Sequence, residues 1–75
     1  MTNTSQSLKV PPGHYRVTGI DTFSWPNEAF FIGVYDSLEA AKAAGQQHRQ
    51  DMTVIEISDH TGQLVAIARG RGEEW

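Results

Sequence analysis

The chain has 75 residues, a formal net charge of −3, 39% hydrophobic and 20% charged residues, and no cysteine. That length allows one domain, and the missing cysteine excludes disulfides, thiolate metal sites and a cysteine nucleophile. The acidic balance argues against nucleic acid or an anionic membrane as a default partner.

The chain opens on a polar stretch, Met1 to Lys9, with little to bury, and we read residues 1–12 as a flexible tail. No segment is long enough to span a bilayer, and Met1 to Ser7 lacks the apolar core of a signal peptide. With no cysteine to oxidise, a cytoplasmic protein is expected.

Pro11, Pro12 and Gly13 punctuate the start of a single domain over residues 13–69. From His14 the alternation of Tyr15, Arg16, Val17 and Thr18 predicts a first strand, His14 to Phe23, whose far end runs into the loop Asp21 to Glu28. Ala29 to Tyr35 is rich in aromatic and branched residues and predicts a second strand. Asp36-Ser37-Leu38-Glu39 reads as a capping box, with Asp36 as the cap and Glu39 reaching back to it. The Ala-rich run that follows predicts a helix over Ser37 to Gln50. Leu38, Ala41, Ala44, Gly45 and His48 fall on its inward side. Met52 to Ser58 and Gln63 to Arg69 are two further strands, joined by the turn Asp59-His60-Thr61-Gly62. Residues 70–75 form a C-terminal tail. The pattern is an α+β domain of ββαββ order, with a mainly antiparallel four-stranded sheet and one helix on one face. Strand order is left open by the helix crossover.

One helix covers one face of a sheet, so the other face should alternate to polar residues. The second and fourth strands are apolar on both parities. We therefore expect Phe31, Tyr35, Val54, Val65 and Ile67 to point away from the helix, among Arg16, Glu56 and Arg69, with Leu64 in the core. An exposed apolar patch of this kind marks an interface or ligand surface, unless the tails cover it.

The combination Tyr15-x-Val17, Asp21-Thr22-Phe23, Ile32-Gly33-x-Tyr35-Asp36-Ser37, Glu39-x-Ala41 and the Asp59-x-x-Gly62 hairpin resembles a set of small uncharacterised bacterial ββαββ proteins. The resemblance spans His14 to Arg69 and rests on a cap, a turn and a strand glycine. It implies the fold and supplies no catalytic residue.

His14, His48 and His60 are the natural general-base or metal candidates. His48 could pair with Asp51 at the helix end, or simply sit near the helix C-terminus, where its cation is favoured. Asp59 and His60 lack two further ligands nearby for a metal. Ser24, Ser37 and Ser58 have no neighbouring histidine, and no phosphate loop or Gly-x-Ser-x-Gly is present. In the loop, Phe23 reads as closing the sheet end. Trp25 could fold back or anchor a partner. Arg69 and Arg71 resemble a basic binding segment, but two arginines beside Glu73 and Glu74 supply too little of the phosphate term.

The sequence thus assigns no catalytic residue, cofactor or metal. It points to a non-catalytic protein-interaction or accessory module that self-associates as a homodimer through its sheet, or meets another protein partner. Interface candidates are Phe31, Tyr35, Val54, Val65, Ile67 and Trp25. The alternative is a small enzyme or ligand-binding protein with a site built at an oligomer interface around His48, Asp51 and Glu56.

Overall fold

The computed structural model describes residues 10–23 and 25–70. Four strands and one helix follow in the order β1 (Tyr15–Asp21), β2 (Glu28–Tyr35), α1 (Leu38–Gln46), β3 (Thr53–Ser58) and β4 (Leu64–Arg69). This is the expected α+β architecture. The strands form one sheet of order β2-β1-β3-β4, antiparallel at every junction. The crossover through α1 therefore carries the chain from one edge strand, over β1, to a position parallel to that edge. Central β1 receives a partner on each side, and β2 and β4 are left as edges.

The core is small. Val17, Ala41, Ile55, Ile57 and Ala68 are buried together, with Tyr15, Ile32, Tyr35, Leu38 and Ala66 packed against them. Helix α1 touches β1, β2 and β3 but does not reach β4. Ala41 and Gly45 are its buried residues, so the helix backbone comes close to the sheet, as its small inward side chains require.

The helix begins one residue later than its sequence suggests. Ser37, in extended conformation, is the cap, and its Oγ accepts from the Ala40 amide at 3.0 Å. Asp36 is displaced from that role because Ser37 directly precedes the first helical residue, and a cap must reach the amide three positions on. Glu39 then sits in the first turn, where the helix dipole favours its charge. The helix also ends early. The Gln47, His48 and Arg49 amides donate to carbonyls three residues back, at 3.2, 2.9 and 3.3 Å. Such bonds tighten the chain out of α geometry. Arg49 fastens this exit segment to the sheet: its Nε donates to the Gly70 carbonyl at 3.1 Å.

Two irregularities decide which side chains face where. The β1–β2 register slips between Val17, opposite Gly33, and Thr18, opposite Phe31, so Ile32 is an extra residue in β2. The β3–β4 register slips between Ile57, opposite Ala66, and Ser58, opposite Leu64, making Val65 the extra residue of β4. A bulge of this kind breaks the two-residue alternation of faces. Val10 is buried ahead of the expected domain start at Gly13, and the Gly70 amide donates to the Thr53 carbonyl at 3.0 Å, extending the ordered pairing beyond β4.

Candidate interaction surface

Residues directly opposite one another in an antiparallel pair share a face. Val17 is in the core, so its partners Gly33 and Ile57 face the helix, as do the pairs Tyr15–Tyr35 and Gly19–Phe30. Arg16, Thr18 and Ile20 face away, and with them Val34, Phe31, Ala29, Val54 and Glu56. On β4, Ile67 and Arg69 lie opposite Glu56 and Val54 and join the same outer face.

Of the six interface candidates, Phe31, Val54 and Ile67 lie on this outer face. Tyr35 does not: it packs against the core on the helix side. The bulge at Ile32 reverses the parity of the second half of β2, so that Val34 turns out and Tyr35 turns in. Val65 is the bulged residue of β4 and is exposed. The same bulge takes Leu64 out of the core to a position opposite Ser58, where it is 49% exposed. Trp25, at the β1–β2 loop, is 93% exposed and does not fold back. Phe23, expected to close the sheet end, is 80% exposed. Its amide donates to Asp21 Oδ1 at 3.0 Å, a local turn, and Phe23 lines an open cleft at the sheet end without closing it. Ser24 and Arg71 lie outside the described residues.

The proposed enzyme constellation is only partly assembled. His48 and Asp51 both line an open cleft of about 780 Å³ at the end of the sheet, together with Asp21, Glu28, Phe30 and Met52. The Phe30 and His48 rings are 6.4 Å apart. Glu56 is absent from that cleft because it points out of the opposite face of β3, paired with Thr18 and Ile67. Thr22 ties the end of β1 to the segment before β3: its amide and Oγ1 both donate to the carbonyl of Met52, a residue of the cleft lining, at 2.8 and 2.6 Å. Among the described residues, no group of three or more His, Asp or Glu side chains is arranged to hold a metal ion. Asp59 serves the β3–β4 turn: its Oδ1 accepts from Thr61 Oγ1, the Thr61 amide and the Gln63 amide at 2.6, 2.9 and 3.0 Å. These bonds, led by that from the Thr61 hydroxyl, hold its carboxyl below the usual range. His60 adds a weaker pull in the same direction.

The exposed large apolar residues fall mostly in one part of the fold. Phe23, Trp25, Phe30, Phe31 and Val34 all belong to β2 or the loop leading into it. Phe30 lies on the helix side of β2, and Phe31 and Val34 on the other. Alternation points to a patch on one sheet face, whereas the apolar surface straddles an edge. The sequence does carry a clue to this: the second strand is apolar on both parities, as a strand covered on both sides would be.

The described residues thus form a one-layer antiparallel sheet with a single helix on it and an apolar edge. No protein-family model, no curated protein and no solved structure matches the chain. Among the described residues, no helix is long and apolar enough to cross a membrane.

Proposed function

We propose that the chain is a non-catalytic protein-interaction module that docks through edge strand β2 and the aromatic loop before it. In this reading it belongs with the small bacterial ββαββ proteins that its motifs resemble. The supporting observation is the straddled edge: a row of exposed apolar side chains on both faces of β2, one of the two strands whose outer side has no neighbour in the sheet. A strand added there would cover Phe30 on one face and Phe31 and Val34 on the other. Its main-chain hydrogen bonds would supply affinity and the side chains selectivity. Native proteins commonly blunt such edges with lysine or proline. Within β2 the only charged residue is Glu28, at its first position, and there is no proline.

Site-specific photo-crosslinking tests the reading. A benzophenone side chain in place of Phe31 or Val34 should give discrete protein adducts in cells. The same group in place of Thr61, in the remote β3–β4 turn, should give none. Equal labelling from all three positions would remove the proposal.

A second reading has one observation behind it, the cleft that His48 and Asp51 share. A small ligand whose binding or turnover disappears in His48→Ala, with the fold intact, would establish it.

A further inference from the structure

We infer that the occupant of the β2 edge is a second copy of this chain, added antiparallel about a two-fold axis so that the two sheets become one. The inference rests on the docking role proposed for β2 and names its partner. The combined sheet would have eight strands, four from each copy, with the two β2 strands at its centre.

Three features carry it. The first is charge. Glu28 is the sole charged residue of β2 and sits at its start. Parallel self-pairing would set Glu28 against Glu28, and like charges directly opposite are destabilising. Antiparallel pairing sends the two carboxylates to opposite ends and leaves only Ala, Phe, Ile, Gly, Val and Tyr between them.

The second is face matching. A two-fold axis perpendicular to the sheet keeps each copy's faces in common, so both helices lie on one side. Phe31 and Val34 of each copy then converge on the outer face, while Phe30 meets its counterparts on the helix face. The patch is complementary to itself, and a two-fold contact uses up both β2 edges and so closes at two copies, with β4 left as the outer edge on each side.

The third is area. Phe23, Trp25, Phe30 and Phe31 are 80%, 93%, 39% and 54% exposed. Taking about 200 Å² for each whole side chain, they present on the order of 500 Å² per copy. A standard stable interface buries about 800 Å² per partner, rather more than half of it apolar. The aromatic surface on and beside β2 therefore matches the apolar share such a contact needs. Edge strand β4 is the weaker candidate: it is shorter, has no aromatic residue and ends in Arg69.

The chain has no native cysteine, so single cysteines report pairing cleanly. The test is sedimentation equilibrium of the full chain, joined to oxidative trapping of single-cysteine variants at Ala29, Phe31, Ile32, Val34 and Ile67. The wild type should dimerise at micromolar to high-micromolar concentration. Phe31→Lys, folded by circular dichroism, should weaken the dimer by on the order of 100-fold, because a two-fold contact carries the substitution twice. Should that variant unfold, Val34→Lys replaces it with the same expectation. Disulfide yield should peak at one position inside β2, nearest the axis, and be absent at Ile67. A wild type still monomeric at about 1 mM, an unchanged dimer in the lysine variants, or trapping at Ile67 would each overturn the inference. A monomer that still gives photo-adducts with a different protein from Phe31 would refute self-pairing and leave β2 as a docking edge. A monomer with no such adducts would refute both.

Discussion

The ring of Phe30 occupies the space that a side chain at Gly19 would need: a Cβ built on Gly19 would overlap the ring's far edge. The two residues lie directly opposite each other in the β1–β2 register, on the helix face. An aromatic ring laid over a strand glycine offsets the packing that glycine lacks. Here it also fixes the Phe30 side chain at the mouth of the cleft, beside the His48 ring.

This contact sets the sign of a substitution. Gly→Ala inside a strand normally stabilises by roughly 0.5–1 kcal/mol. Gly19→Ala should instead forfeit that gain and destabilise mildly, by about 0.5–1.5 kcal/mol, because the far end of the part-exposed Phe30 ring must swing aside. In a Phe30→Ala background the same change should be neutral or stabilising. A double-mutant cycle in urea measures the coupling, and its absence would show that the ring does not depend on Gly19.

The bulge at Val65 turns Leu64, expected in the core, out of the face that Ile57 and Ala66 share. Ile57→Ala, at a fully buried position, should cost about 2–5 kcal/mol. Leu64→Glu, at an exposed position opposite Ser58, should stay within about 0.5 kcal/mol of the wild type. Urea midpoints compare them, and unfolding by Leu64→Glu would mean that β4 keeps regular alternation.

Ser37 rather than Asp36 caps α1. Ser37→Ala should lower stability by about 1 kcal/mol, and Asp36→Ala by clearly less. Thermal melts followed by far-ultraviolet circular dichroism (a helix-weighted signal) rank the two. The reverse order would restore Asp36 as the cap.

Asp59 gives a dependence on pH. Its carboxyl is held below the usual range by the Thr61 hydroxyl and the Gln63 and Thr61 amides, against a smaller opposing effect of lost hydration. A depressed folded-state value means that the contribution is fully present above the unfolded carboxyl's range, about pH 3.9. It is lost as pH falls through the folded value. The Asp59 carboxyl followed by NMR should therefore titrate below a free aspartate. The stability gap between the wild type and Asp59→Asn should close in acid. A titration at or above the ordinary value would contradict this account of the turn.

Sequence alone determined the features that depend on neighbours along the chain. Five elements in ββαββ order follow from alternation, from Ala-rich helix propensity and from the Asp59–Gly62 turn, whose Asx bonds are local. Lack of cysteine and the both-sided apolar character of the second strand are likewise legible in the residues themselves. Tertiary structure alone decided which strand became an edge, because pairing β1 with β3 rather than placing β2 centrally is a choice among non-local contacts. It also decided the faces. Alternation predicts orientation only while each residue has one partner, and the extra residues Ile32 and Val65 break that rule. So Tyr35 turned inward and Leu64 turned outward, while Glu56, on unbulged β3, kept the outward face that alternation gives it. One inserted residue in each of β2 and β4, invisible to periodicity, reversed the faces beyond it, while the strand order set the two-sided apolar strand at a sheet edge.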